Sequence, residues 1–434
     1  MKHIVGILIL SSIMSIQAHA QKSTTYPKVK SMQERAALED AWLEKRFETV
    51  IPKLMRERGV DMWLMIAREY NEDPVVKTML PATWLSARRR TILIFHDTGN
   101  TVKRYAVSRY AVGSFFEAVW NPEKDPDQWH RLNEFVTELN PKKIAINTSN
   151  IYALASGLTA SQHAGLMRAL HPNLKAKIVT DPALAIGWLE ERIPEEMALY
   201  PEIVQLAHAI IKEGFSNKVI VPEQSSVDDV RWWYRDKIRQ MGVVAWFHPS
   251  VSIQRRDGLV KDKIIRRGDL LHVDFGITYM GLNTDTQQHA YVLNENETAV
   301  PKGIQQAFKV GNRLQDILTN NYKTGLSGDQ VLAKSRADAI KEGIVPSIYT
   351  HPIGYHGHGA GATIGMWDSQ NGVKGRGLYP IRANTAWSIE LNATVSIREW
   401  DNQKIRIMLE EDAYFDGTSV RYISGRQEKI HVIN

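Results

Sequence analysis

Residues 272–285 read HVDFGITYMGLNTD, and the two aspartates within it, Asp274 and Asp285, decide how the second half of the chain is read. The alternation on either side of Tyr279-Met280 predicts strands over 272–278 and 281–290 joined as a hairpin. Residues placed symmetrically about a hairpin turn face each other, with Cβ atoms about 5 Å apart. Two carboxylates at that distance repel, and one would hold its proton far above the ordinary range. A cation between them removes that cost, and carboxylate oxygens are good ligands for one.

A second hairpin repeats the arrangement. Glu390 in WSIELNATV and Glu410 in IMLEEDAYF flank the polar turn WDNQ, with Trp400 at their midpoint. They are expected nearly opposite one another, given one bulged residue. Each acidic pair alone is consistent with exposed cross-strand acids. Together they surround a histidine- and glycine-rich stretch, THPIGYHGHGAGATIGMWD (350–368). Its glycines let the backbone approach a site closely, and His351, His356 and His358 are candidate nitrogen ligands. A phosphate-cradling dinucleotide loop does not fit, because the required strand and acidic residue are missing. The DFG at 274–276 lacks the other protein-kinase motifs.

With 434 residues, 43% of them hydrophobic and 24% charged, the chain has the composition of a globular protein of two domains. A net charge of +6 with scattered basic residues is no nucleic-acid footprint. The one basic cluster, Arg88-Arg89-Arg90, reads as a solvated start to the apolar strand TILIFH. The absence of cysteine excludes disulfides and thiolate chemistry. Residues 1–20, MKHIVGILILSSIMSIQAHA, have a basic start, an apolar run over Ile4–Ile16 and an Ala-x-Ala site, the pattern of a cleaved export signal. The mature protein is expected in the periplasm or secreted, with no membrane anchor.

Helical spacing over Met32–Arg58 is followed by apolar strands at 62–67, 91–96 and 103–108, then alternating helices and short strands. This predicts an α/β domain over 27–190. Two helices beyond Pro194, the second stopped at Gly242, and long strands thereafter predict an α+β domain over 195–434.

Here the chain resembles the M24 pita-bread metallopeptidases, which include methionine aminopeptidase, Xaa-Pro aminopeptidase and prolidase. Their ligands run Asp, Asp, His, Glu, Glu. The first two are eleven residues apart in DxG…D, matched by Asp274 and Asp285; the histidine lies in GHGxG, matched by His358; Glu390 and Glu410 match the glutamates. The first domain resembles the N-terminal domain of the creatinase and prolidase branch. The resemblance implies two divalent metal ions, with manganese favoured over zinc, cobalt or iron, sharing a bridging water or hydroxide. It also implies Glu390 as catalytic proton shuttle, a homodimer, and exopeptidase action on the N-terminal bond of short peptides. The family has a further histidine seven residues after its ligand histidine, where this chain has Gly365, and another about seventeen before the first aspartate, where IQRRDGL has none. The family's DxTRT segment is DTQQH here. His289, His351, His356 and Trp367 are candidates for substrate contact in their place. A non-peptidase metal-dependent hydrolase or lyase, or a non-catalytic binding module on the same fold, are the alternative readings.

Overall fold

The computed structural model describes residues 25–258 and 260–434. The export-signal expectation for residues 1–20 lies outside them. Among the described residues, no helix is long and apolar enough to cross a membrane.

The first half is built on a six-stranded sheet. Strands Met62–Arg68, Arg90–Asp97 and Val102–Val107 form an antiparallel meander, and Ile144–Ile146 and Ile178–Thr180 extend it in parallel beyond the first of these. Helix Met32–Arg58 starts at a Ser31–Glu34 capping box and stops at Gly59 in the left-handed conformation. Its apolar stripe, including Trp42, Phe47, Ile51 and Leu54, is buried. The helix Pro182–Glu190 packs against it closely, because Gly187 lies where Leu54 leaves no room for a side chain.

A single core continues into the second half. Arg46 makes the junction specific: fully buried, it donates to Glu196 at 3.1 Å and lies 4.4 Å over the Trp188 ring. Helices Pro194–Gly214 and Val227–Gln240 pack on the sheet formed by 250–254, 270–275, 286–292 and 431–433. Helices Lys302–Asn320 and Gly328–Lys341, which the sequence reading did not single out, pack on a second sheet formed by 345–348, 391–397 and 403–409. The latter helix begins with its own Ser327–Gln330 capping box.

The long strands expected from AWSIELNATVSIRE and KIRIMLEEDAYF are each broken. Thr385–Ser388 and Leu391–Ile397 flank Ile389-Glu390; Gln403–Leu409 and Asp412–Phe415 flank Glu410-Glu411. At the break one backbone bond stays in the hairpin, from the Ile389 N–H to the Glu411 carbonyl at 3.0 Å, and others leave it. Tyr349 N–H donates to the Glu390 carbonyl at 3.1 Å, while Glu410 and Gln287 exchange N–H···O bonds of 3.0 and 3.2 Å. The sheets are thus joined at the level of Glu390 and Glu410.

Candidate metal centre

The two aspartates meet through a different register from the one expected. The turn is Met280-Gly281, with φ of 52° and 71°, the left-handed pair of a type I′ hairpin. Tyr279 therefore faces Leu282, and Asp274 faces Gln287 rather than Asp285. Asp285 sits diagonally across from Asp274, still close enough that each offers an oxygen within 4.8 Å of the other's and of Glu410's. In the second hairpin Leu391 faces Leu409 and Ser388 faces Asp412 in one register, so Glu390 stands opposite Glu410 without the bulge expected.

The structure brings the four acids together, and the imidazole at their centre is His351. Its Nε2 lies 3.6 Å from Glu410, 3.8 Å from Asp285 and 4.0 Å from Glu390. His358, the histidine of the GHGxG match, stands at the rim: it shares one potential ligand group with Asp285 and His351, at a ring separation of 4.8 Å from His351, and is exposed. The cause is chain direction. His351 starts the short strand His351–Ile353, paired to Thr385–Ser388 beside Glu390, whereas His358 follows after the chain has turned away.

The remaining candidates lie elsewhere. His289 is fully buried with both nitrogens engaged, by the Leu271 carbonyl at 2.9 Å and the Met408 N–H at 3.0 Å. Trp367 is 76% exposed, on the surface rather than in a pocket. His356 lines a cavity of about 540 Å³ between the two halves, beside Tyr355, Trp42 and Met280, and its Nδ1 is buried without a partner.

Electrostatics makes this cluster unstable by itself. Burial first, and then the Glu410 charge, hold Asp274, Asp285 and Glu390 well above the ordinary carboxylate range. Burial does the same to Asp412, whose Oδ1 accepts the Asp285 N–H at 3.2 Å. At an effective dielectric of about 20, each pair of like charges 5 Å apart costs about 3 kcal/mol. Two buried atoms facing the group, Asp285 Oδ1 and His351 Nε2, have no hydrogen-bond partner. An oxygen-rich set with one imidazole and unpaired inward atoms fits divalent cations of the manganese, iron or zinc kind.

Two residues that the sequence reading passed over complete the site. Gln287, from the DTQQH segment, donates its amide to Glu390 at 2.9 Å and Glu410 at 2.7 Å, and pairs with His272 at 2.8 Å. Ser388 donates to Glu410. Trp246 packs in the space that side chains on Gly276 and Gly357 would need, and donates to the Thr284 carbonyl at 2.9 Å. One indole therefore abuts both the aspartate hairpin and the histidine loop.

The sequence profile of metallopeptidase family M24 matches residues 200–417, just over half of the 434-residue chain. Among solved structures, an X-Pro aminopeptidase from Thermotoga maritima MSB8 superposes with a TM-score of 0.63 at 16% identity, covering 88% of this chain and 99% of that one. A Xaa-Pro dipeptidase from Bacillus anthracis gives 0.59 at 16% identity, covering 93% and 100%, and a prolidase from Pyrococcus furiosus 0.53 at 14%, covering 86% and 99%. At these identities the likeness is one of fold. No curated protein matches the chain by sequence. The profile match over the helices and strands that carry the acidic cluster, and the shared architecture along nearly the whole chain, give one conclusion: this protein belongs to metallopeptidase family M24 and has its pita-bread fold.

Proposed function

We propose that the protein is a dimetal exopeptidase that removes the N-terminal residue of short peptides, with Xaa-Pro bonds as its substrate class. The observation that carries this reading is the unpartnered His351 Nε2 within 4.0 Å of three carboxylates, each from a different junction between strands. Asp274, Asp285, His351, Glu390 and Glu410 would hold two divalent ions, manganese first among the alternatives. This moves the nitrogen ligand from His358 to His351. The residue seven places on is then His358, the spacing at which the family resemblance implies its further histidine. Once bound, the ions would polarise the scissile carbonyl and lower the pKa of the attacking water.

The side chains divide the remaining work. Glu390 keeps 22% of its side-chain exposure, against 4% for Asp285 and 1% for Glu410, so it is better placed than either to exchange a proton with substrate. His358 is the imidazole open to substrate. Desolvation of its inner edge and the neighbouring His351 push its pKa down to about 4, so it is neutral and can accept or donate one hydrogen bond. Gln287 holds Glu390 and Glu410 in place. Export to the periplasm and a homodimeric state belong to the same proposal, the first resting on the pattern of residues 1–20.

A metal-dependent hydrolase or lyase acting on other small molecules is favoured by one observation. The 253–258 segment, near where the family has its earlier histidine, has none, and Arg255 there is tied to Asp269 at 2.7 Å. The test is to strip the purified protein with chelator, restore manganese or zinc, and follow a Xaa-Pro peptide panel by mass spectrometry. Metal-dependent release of the N-terminal residue supports the peptidase. Tight metal binding with no peptide turnover contradicts it in favour of the second reading.

A further inference from the structure

Arg88 and Arg89 are exposed, as expected of a solvated strand entry, and Arg90 is half-buried. The run forms one wall of a cavity of about 700 Å³ in the N-terminal half, which Arg68 and Arg109 also line. Glu69 is the only acid in that lining, and it is occupied by the backbone, accepting from the Arg89 N–H at 3.2 Å.

Two electrostatic features there are unfavourable in the absence of an anion, and one backbone conformation is strained with or without one. Arg68 and Arg90 face each other directly across the first two strands, a like-charged cross-strand pair. Arg89 adopts a φ of 51°, a left-handed conformation that costs a non-glycine residue stability. Among the described residues, no carboxylate pairs with the side chains of Arg68, Arg88 or Arg89; Arg109 is paired to the exposed Glu123 at 2.6 Å. Arg90 is fixed from behind by Gln162 and Gln128 and by the Trp129 ring beneath it. The opposite chemistry is present as well. Trp84, Trp120 and Tyr110 line the same cavity, and Arg88 lies 4.8 Å over the Trp84 ring.

We infer that this cavity is a binding site, separate from the metal centre, for a phosphate monoester carrying a flat apolar group. A phosphate monoester presents about two charges and three terminal oxygens, enough for several guanidinium forks, whereas a carboxylate presents one charge and two oxygens. The aromatic wall receives the flat group. The unpaired arginines supply the charge, and the bound dianion relieves the Arg68–Arg90 repulsion.

Phenyl phosphate is the probe, since it carries both parts. It is titrated into the metal-loaded full-length protein at constant ionic strength, by calorimetry and by thermal shift, with inorganic phosphate and benzoate in parallel. Saturable binding of phenyl phosphate, tighter than either control, is expected. In Arg68→Ala the affinity falls about tenfold or more, the loss of one charge-assisted contact. The same variant without ligand melts no lower than the parent, because a repulsion has been removed, so lost binding is not lost folding. An Arg88→Ala variant checks the aromatic side of the cavity in the same way. Absence of saturable binding to the parent protein, or unchanged binding in both variants, would overturn the inference.

Discussion

Gln287 and Glu410 are joined twice: their main chains exchange hydrogen bonds of 3.0 and 3.2 Å, and the Gln287 amide donates to Glu410 Oε2 at 2.7 Å. The link stitches the aspartate hairpin to the glutamate hairpin at the level of the acids. With His272 fixing its oxygen, the Gln287 amide nitrogen is oriented toward Glu390 and Glu410. Gln287→Leu should therefore weaken metal binding about 10- to 100-fold while the fold persists. Calorimetric titration of manganese into the stripped protein, with circular dichroism as the folding check, measures this.

The acids give the stripped protein a definite pH dependence. Asp274, Asp285 and Glu390 are held above their unfolded values, so the folded state binds more protons than the unfolded one. Their stabilising contribution is complete below the ordinary carboxylate range and is lost as pH rises through the raised folded values. Measured relative to an Asp285→Asn variant, a comparison in which buried neutral histidines such as His272 and His289 largely cancel, the chelated parent should therefore lose melting temperature as pH rises from about 4 toward neutrality. Manganese should reverse that loss, increasingly so at higher pH, because ions and protons compete for the same oxygens. Melting curves with and without manganese across this range give the comparison. A chelated parent that gains stability relative to the Asp285→Asn variant over the same interval would rule out the raised carboxylates.

Trp246 makes the glycine at 357 a steric requirement. Gly357→Ala drives its new methyl into the indole, and overpacking of this kind costs about 1–3 kcal/mol. Because the loop that must yield carries His358, peptide turnover should fall with it. Trp246→Phe in the same chain opens space and should restore part of both. Denaturant melts and turnover of the single and double variants form a cycle whose coupling reads the contact.

On the proposed reading His358 contacts substrate rather than metal. His358→Ala should leave metal content unchanged and lower turnover by about two to four orders of magnitude, the range of a lost proton-transfer group. Metal analysis alongside peptide kinetics distinguishes this from a lost ligand, which would lower both.

The acids were legible in the sequence because a strand that alternates and then carries an unpaired carboxylate is conspicuous, and two hairpins carried the pattern. Their exact facing was less so. Gly281, suited to the left-handed half of a type I′ turn, was the available signal for placing the turn one residue later and setting Asp274 against Gln287. His351 was obscured by the glycines around His358. Those glycines answer to packing: Gly357 yields to Trp246, Gly359 to the Pro352 backbone, and Gly361, with a φ of 124°, to the buried Glu190. The breaks at Glu390 and Glu410 had no local signal, since they depend on bonds from Tyr349 and Gln287, far away in the chain. The arginine run is solvated as its composition suggested, and what the sequence did not show is that the facing strand sets Arg68 opposite Arg90.

The central claim is that His351 and four carboxylates together hold a pair of divalent ions, and metal content per chain tests it most directly. Manganese-loaded parent protein, desalted and measured by inductively coupled plasma mass spectrometry, should retain about two ions, the number that five such ligands bridge in dimetal sites. His351→Ala should retain fewer, with His358→Ala equal to the parent. A parent that retains no metal, or a His351→Ala protein that retains as much as the parent, would contradict the account.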